Sequence, residues 1–140
     1  MIRDKMSDSD NSERESKQMT VPKYRGNYNT WCTFFKAWAA VQDYHELLTL
    51  SVDLPTKDYF TLGKVDEMDG SPDENKKQVD LLVKNAKIIN ALHRAFSKHP
   101  AMIRKIELTI NEATWPVGRA WLVMQRLDEA YKPKSMLNRS

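Results

Sequence analysis

The stretch YRGNYNTWCTFFKAW, residues 24–38, decides the fold class. Its large apolar side chains, extended by one valine, recur at steps of three and four residues: Trp31, Phe34, Phe35, Trp38 and Val41. Because an α-helix makes one turn in about 3.6 residues, this spacing places them on one stripe of a helix. The pattern predicts an amphipathic helix that runs to about Gln42, with Asn29 or Thr30 as its N-cap.

A second aromatic segment, AWLVMQRLDEAY, occupies residues 120–131. Its apolar side chains recur at similar steps: Val117, Ala120, Trp121, Met124, Leu127 and Tyr131. This helix is predicted to begin at Thr114 or Trp115, with Pro116 near its first position. Large rings on matching stripes pack together, so the first and last helices are predicted to share a core.

Further helices are predicted between the two aromatic segments. The longest runs from about residue 74 to residue 98, and its apolar stripe consists of Val79, Leu82, Val83, Ala86, Ile89, Leu92 and Phe96. Pro100 is expected in the first turn of the next helix, which carries Met102, Ile103, Ile106 and Ile110 inward. Asp43 is predicted to cap a short helix that contains Leu47, Leu48 and Leu50.

The predicted fold is all-α, because no stretch of five or more residues alternates convincingly between apolar and polar. We expect an irregular or orthogonal bundle of about five helices. Its predicted core consists of Trp31, Phe34, Phe35, Trp38, Leu92, Phe96, Trp121, Leu127 and Tyr131.

The chain is predicted to form one helical domain, residues 21–134, between two tails. Residues 1–20 are rich in serine and charge and are expected to form a disordered arm, and residues 135–140 form a short tail. Residues 51–75 contain prolines and glycines and are rich in acidic side chains. This segment is predicted to be a long, mobile, acidic loop.

The net charge of +3 conceals an uneven distribution. Residues 53–80 hold four basic and eight acidic side chains, whereas residues 81–140 hold eleven basic and four acidic ones. A basic region attracts RNA or an acidic protein surface, although scattered lysines and arginines also keep helices hydrated. Charge alone therefore leaves both explanations open.

Sequence motifs for catalysis or metal binding are lacking. The three histidines, His45, His93 and His99, are dispersed, and Cys32 is the only cysteine. The acidic loop does not have the ligand spacing of a calcium-binding EF-hand. We therefore expect no enzymatic activity, no catalytic residue, no metal, no cofactor and no small-molecule substrate.

The chain also lacks an apolar run near the roughly 20 residues that span a bilayer, and its N-terminus lacks the apolar core of a signal peptide. With a single cysteine, the sequence predicts a cytoplasmic protein without a membrane partner.

The aromatic segments resemble the Gag polyprotein of copia-type LTR retrotransposons. The first matching pattern is Pro22-Lys-Tyr24-x-Gly-x-Tyr28-x-x-Trp31-x-x-Phe-Phe35, and the second is Ala120-Trp121 followed by Leu127 and Tyr131. Residues 85–92, NAKIINAL, are similar to the helix of small and apolar residues that lies between these motifs in such Gag proteins. The resemblance covers residues 21–134.

This resemblance implies a fold like a capsid N-terminal domain, which self-associates into oligomers or shells around element RNA. The chain departs from the pattern in its long acidic loop and in lacking the Cys-x-x-Cys-x-x-x-x-His-x-x-x-x-Cys zinc knuckle. It is similar either to an active-element Gag or to a domesticated Gag-like host protein. Direct RNA binding by this chain is expected to be weak and to use basic residues.

Two surfaces are candidates for contacts between copies. The acidic one holds Asp66, Glu67 and Asp69, continued by Asp73 and Glu74, and the basic one holds Arg94, Lys98, Arg104 and Lys105. Two alternative functions remain at this stage. One is a nucleic-acid-binding module that uses these basic residues together with Lys84 and Lys87. The other is a generic helical adaptor that binds a partner peptide.

Overall fold

The computed structural model describes residues 20–49, 54–55 and 57–132, and within these ranges it is all-helical, with no strand. Its four α-helices are α1 (Tyr28–Val41), α2 (Pro72–Ala95), α3 (Pro100–Thr109) and α4 (Ala120–Tyr131). Two 3-10 helices, His45–Leu48 and Val65–Glu67, lie between α1 and α2. The all-α prediction is confirmed for the described residues. Residues 1–19 of the predicted arm, the tail at 135–140, Leu50, and residues 51–53 and 56 of the acidic loop lie outside them.

The first helix begins earlier than predicted because Asn27 is its N-cap. The Asn27 side chain accepts a hydrogen bond from the backbone N–H of Thr30, at 2.9 Å. Neither Asn29 nor Thr30 has this role, and Tyr28 becomes part of the helix. The ring of Tyr28 therefore joins the buried face of α1.

The predicted short helix after α1 is a 3-10 helix instead, and Asp43 does not cap it. Asp43 adopts a left-handed conformation with φ of 67°, just after the end of α1. A residue in this conformation terminates a helix. The 3-10 helix that follows is flanked by Tyr44 rather than Asp43, and it buries Leu47.

The long helix α2 begins with a capping box. Ser71 accepts a hydrogen bond from the N–H of Glu74, and the Glu74 carboxylate accepts one from the N–H of Ser71. Pro72 takes the first helical position, where its missing N–H costs nothing. The helix therefore starts two residues before the predicted Glu74 and ends at Ala95 rather than near Lys98.

The segment before α4 is longer than predicted. Gly118 has a φ of 87°, and a β-carbon there would lie 2.4 Å from the side chain of Ile110. Because glycine has no β-carbon, the chain can turn this close to Ile110. Helix α4 begins after the turn, at Ala120 rather than at Thr114 or Trp115. The buried Asn85 of α2 holds the turn by donating to the carbonyl of Gly118 and accepting from the N–H of Ala120, each at 2.7 Å.

The core is a cluster of buried side chains from all four of these α-helices and from the 3-10 helix that contains Leu47. Among the predicted core residues, the structure buries Trp31, Phe35, Leu92, Phe96 and Leu127. The rings of Trp31 and Phe96 lie 4.6 Å apart between centroids, and those of Trp31 and Phe35 lie 4.7 Å apart. Trp38 and Tyr131 are half-buried against this cluster.

Placing Phe34 in the core is wrong, because its side chain is 59% exposed. The buried residues of α1 are Tyr28, Trp31, Cys32, Phe35 and Ala39. At about 100° per residue, Phe34 lies about 120° from the centre of this stripe and Val41 lies still farther away. Both side chains therefore face solvent.

Trp121 is likewise not part of the buried stripe of α4. That stripe consists of Ala120, Val123, Met124 and Leu127, and Trp121 lies about 100° from its centre. The ring is half-buried at the edge of the bundle. There it contacts the guanidinium of Arg119 rather than the aromatic core.

Candidate functional site

The described residues offer no group of histidine, cysteine and acidic side chains arranged to hold a metal. Two of the histidines contact backbone carbonyls instead. His93 Nδ1 lies 3.1 Å from the carbonyl oxygen of Ile89, and His99 Nε2 lies 3.2 Å from that of Tyr24. Across the same part of the chain, every helix is too short or too polar to cross a bilayer.

A partly buried polar cluster joins the first and last helices. The hydroxyl of Tyr28 donates a hydrogen bond of 2.8 Å to Asp128 Oδ1, and the sulfur of Cys32 lies 3.9 Å from the same oxygen. Burial is the main cause that raises the pKa of both the Tyr28 hydroxyl and the Cys32 thiol. Since the thiolate is the reactive form of cysteine, this environment favours a structural role over a nucleophilic one.

Arg119, the residue just before α4, lies against the rings of two tryptophans. Its guanidinium carbon is 4.5 Å from the ring centroid of Trp115 and 4.9 Å from that of Trp121. The same guanidinium donates two hydrogen bonds to Glu112, at 3.0 and 2.8 Å. This arrangement of Arg119 was not predicted from the sequence. The aromatic residues on both sides of a single arginine were the available signal.

The structure separates the basic residues that the sequence grouped together. Lys98 lines a hollow of about 300 Å³ with Lys23, Arg25 and His99. Arg104 instead lines a hollow of about 380 Å³ that also contains Glu107 and Glu112. Arg94 is exposed near the end of α2, and Lys105 is half-buried on α3. The positive charge around Arg104 is thus partly offset by acids, whereas that around Lys98 is reinforced.

Lys84 is engaged in ion pairs. Its ammonium group lies 3.2 Å from a carboxylate oxygen of Asp43 and 3.5 Å from one of Asp80. The hydrogen bond with Asp43 is the main cause that raises the pKa of Lys84. A lysine paired in this way is a poor candidate for a phosphate contact.

A second hollow adjoins Lys23 and Arg25, and we call it the N-terminal groove. It has a volume of about 410 Å³, and its lining includes Val21, Pro22, Lys23, Arg25, Trp31 and Phe34. The indole N–H of Trp31 donates to the carbonyl of Pro22 at 2.9 Å, which fixes one wall. Among the residues that the structure describes, none that lines the groove is acidic. The groove was not predicted from the sequence, because the spacing of Phe34 placed it in the core.

The acidic residues Asp66, Glu67 and Asp69 are exposed, as a contact surface requires. Asp66 and Glu67 belong to the 3-10 helix Val65–Glu67, and Asp69 follows it. Three partly exposed apolar side chains lie close to them in the sequence: Phe60, Leu62 and Val65. We call residues 60–69 the acidic ledge.

The ledge is anchored just before its first residue. The buried Asp58 accepts hydrogen bonds from the N–H and hydroxyl of Thr61. The N–H of Asp58 donates to the carbonyl of Thr114, and the indole of Trp115 donates to the carbonyl of Pro55 at 2.8 Å. These contacts tie the described part of the acidic loop to the segment that precedes α4.

A scan against protein-family models and searches of curated proteins and of solved structures each find no match for this chain.

Proposed function

We propose that this chain is a non-enzymatic structural domain, similar to the capsid region of a copia-type retrotransposon Gag, that self-associates into oligomers or shells around element RNA. Its chief partner is another copy of itself. RNA is a weak partner that basic residues attract, and no small-molecule substrate takes part.

The observation that supports this proposal most directly is the contact between the two segments that carry the resemblance. Tyr28 of the first segment donates to Asp128 of the second, and its ring lies 6.1 Å from that of Tyr131 between centroids. Most of the matching aromatic residues therefore serve the interior of one helical domain. What remains for function is the outer surface, where apolar and charged side chains occur together.

Opposite charges on that surface provide a means of association. Asp66, Glu67 and Asp69 are exposed in one region, whereas Lys98 reinforces a basic region beside Lys23 and Arg25. Contacts between such surfaces are individually weak, but many copies in a symmetric array act together. Salt weakens attraction between exposed charges, so assembly is expected to decrease as ionic strength rises.

Sedimentation velocity of the full chain tests this function. We expect species larger than a monomer that grow with protein concentration and shrink between 50 mM and 500 mM salt. Electron microscopy of the same samples should show rings, tubes or shells. A monomer at every concentration and salt level would refute the proposal.

RNA binding separates this function from a nucleic-acid-binding module. Assembly is expected in the absence of RNA, with RNA lowering the concentration at which it starts. Tight RNA binding by a chain that stays monomeric, with an affinity that falls steeply with salt, would favour the module instead.

A further inference from the structure

We propose that the N-terminal groove of one copy receives the acidic ledge of a second copy, which gives a head-to-tail contact. This inference rests on the proposed self-association and specifies the surfaces that carry it.

The groove combines an exposed ring with positive charge. Phe34 is 59% exposed at a groove that Lys23 and Arg25 also line. Lys98 reinforces this charge, because the hollow that it lines shares both basic residues with the groove. An occupant that covers Phe34 and carries negative charge satisfies both features.

The acidic ledge has the complementary composition. Phe60, Leu62 and Val65 are each about 40% exposed, and Asp66, Glu67 and Asp69 follow closely in the sequence. Apolar side chains at the centre with charged ones beside them are typical of protein interfaces. The ledge offers apolar surface to Phe34 and carboxylates to Arg25 and Lys23.

The two surfaces lie at opposite ends of α2, so one copy cannot join them within itself. The ledge precedes the N-terminus of this helix, and only three residues separate Glu67 from the N-cap Ser71. The groove lies at the other end, because the N–H of Tyr24 donates to the carbonyl of Ala95 at 2.9 Å. A helix of 24 residues is about 36 Å long.

When the groove of one copy receives the ledge of another in a single head-to-tail contact, one groove and one ledge stay unused at the ends of the pair. Such a heterologous contact adds further copies until a ring closes or a filament forms. The geometry therefore points to assembly beyond a dimer, with Phe34 and Glu67 as the central residues of the two surfaces.

Charge reversal and ring removal test the contact in the full chain. Phe34→Asp and Arg25→Glu alter the groove, and Glu67→Lys alters the ledge. All three positions are exposed, so the variants are expected to keep the wild-type circular dichroism and melting curve. Each is expected to weaken association by about tenfold or more in sedimentation velocity.

Mixing the variants gives a sharper test. A chain with Phe34→Asp keeps its ledge, and a chain with Glu67→Lys keeps its groove. At a protein concentration where the wild type has just begun to assemble, each variant alone is expected to be mainly monomeric, whereas an equimolar mixture should form a dimer and stop there. The double variant Arg25→Glu with Glu67→Lys should regain growth beyond a dimer, because the reversed charges again match.

Two matched controls lie outside both surfaces. Leu108→Asp changes an apolar side chain that is 64% exposed on α3, and Arg104→Glu reverses a charge in a different hollow. Both should associate like the wild type.

The outcomes distinguish failure of this contact from failure of self-association itself. Association that persists in the groove and ledge variants, or a mixture that stays monomeric, overturns this contact while leaving self-association intact. A wild-type chain that never associates overturns both. Loss of RNA binding in Phe34→Asp with unchanged association would make RNA the occupant of the groove and also overturn the inference.

Discussion

Phe34 and Phe35 are adjacent in the chain, yet their environments are opposite. Phe35 is fully buried and stacks on Trp31, whereas Phe34 is mostly exposed. We expect Phe35→Ala to lower the free energy of unfolding by about 3–5 kcal/mol, because it leaves a cavity in the core. Phe34→Ala should change it by less than about 0.5 kcal/mol, as at other exposed positions.

Urea unfolding followed by circular dichroism measures both changes. The two phenylalanines are matched controls for each other, since they share the helix and the side chain. Equal losses of stability in the two variants would contradict the orientation of α1 described above.

Asn85 is a polar residue in the interior, and both the nitrogen and the oxygen of its amide make a hydrogen bond. It bonds to the carbonyl of Gly118 and to the N–H of Ala120. Asn85→Ala leaves two buried backbone groups without this partner, and each such group costs about 1–3 kcal/mol. We expect a marked drop in the urea midpoint.

The exposed Asn90 on the same helix is the control for Asn85. Asn90→Ala should leave the midpoint nearly unchanged or raise it slightly, because alanine favours a helix. A similar response of the two variants would mean that the amide of Asn85 does not hold the start of α4.

At the scale of elements, the turn before α4 depends on Gly118. Alanine at this position would adopt an unfavourable positive φ and place its β-carbon against Ile110. Gly26 also has a positive φ, of 106°, but it has open space around it. Gly26→Ala is therefore expected to cost about 1–3 kcal/mol from the backbone alone. Gly118→Ala should cost at least about 1 kcal/mol more from crowding.

Thermal melts of the two glycine variants separate backbone strain from crowding. Gly118→Ala should melt well below Gly26→Ala. The reverse order would show that Ile110 moves aside without cost.

The capping box of α2 makes its stability depend on pH. Hydrogen bonds from the backbone and side chain of Ser71 lower the pKa of Glu74 from its ordinary value near 4.5. A lowered pKa in the folded state means that the unfolded chain binds the proton first as pH falls. The contribution of Glu74 is therefore present above about pH 4.5 and is lost as pH falls through its folded pKa.

Glu74→Gln keeps a side-chain acceptor but cannot titrate, so its stability should vary less than that of the wild type between pH 5 and 2. Ser71→Ala removes the cap and should cost about 1 kcal/mol at pH 7. Ser97→Ala, at an exposed serine beyond the end of α2, is the control. An unchanged pH profile in Glu74→Gln would contradict the capping box.

Helix positions were predictable because they follow from the period of apolar residues, as in α2. The ends of the helices depend on single residues whose backbone conformation the sequence leaves open. Asp43 ends one helix with a positive φ, although an aspartate is also a good N-cap. The exposed side of α1 was missed for a related reason, since Phe34 satisfies the three- and four-residue spacing without lying at the centre of the stripe.

At the scale of the whole molecule, composition was enough to predict an acidic and a basic region but not their shape. Exposure of Asp66, Glu67 and Asp69 follows from their charge. The N-terminal groove, in contrast, requires Pro22 to contact Trp31 and Tyr24 to contact the end of α2. The second contact joins residues far apart in sequence, which periodicity does not reveal.

The polar cluster between α1 and α4, formed by Tyr28, Cys32 and Asp128, is expected to make the whole molecule less stable at alkaline pH. Burial raises the pKa of Tyr28 well above its usual value near 10 and also raises that of Cys32. The unfolded chain therefore loses these protons first as pH rises, so it binds fewer protons than the folded chain. The stability that the protonated groups provide is complete below their unfolded pKa values and decreases above them.

The free energy of unfolding should accordingly fall above about pH 9, where unfolded thiol and phenol groups begin to ionise. Above about pH 10, the slope approaches roughly 1.4 kcal/mol per pH unit for Tyr28 alone. Tyr28→Phe removes the titrating group together with its bond to Asp128, so it should be less stable at pH 7 but lose less stability by pH 11. If the free energy of unfolding of the wild type and of Tyr28→Phe changed with pH in parallel, the hydroxyl of Tyr28 would have to reach water. That result would contradict the hydrogen bond between Tyr28 and Asp128.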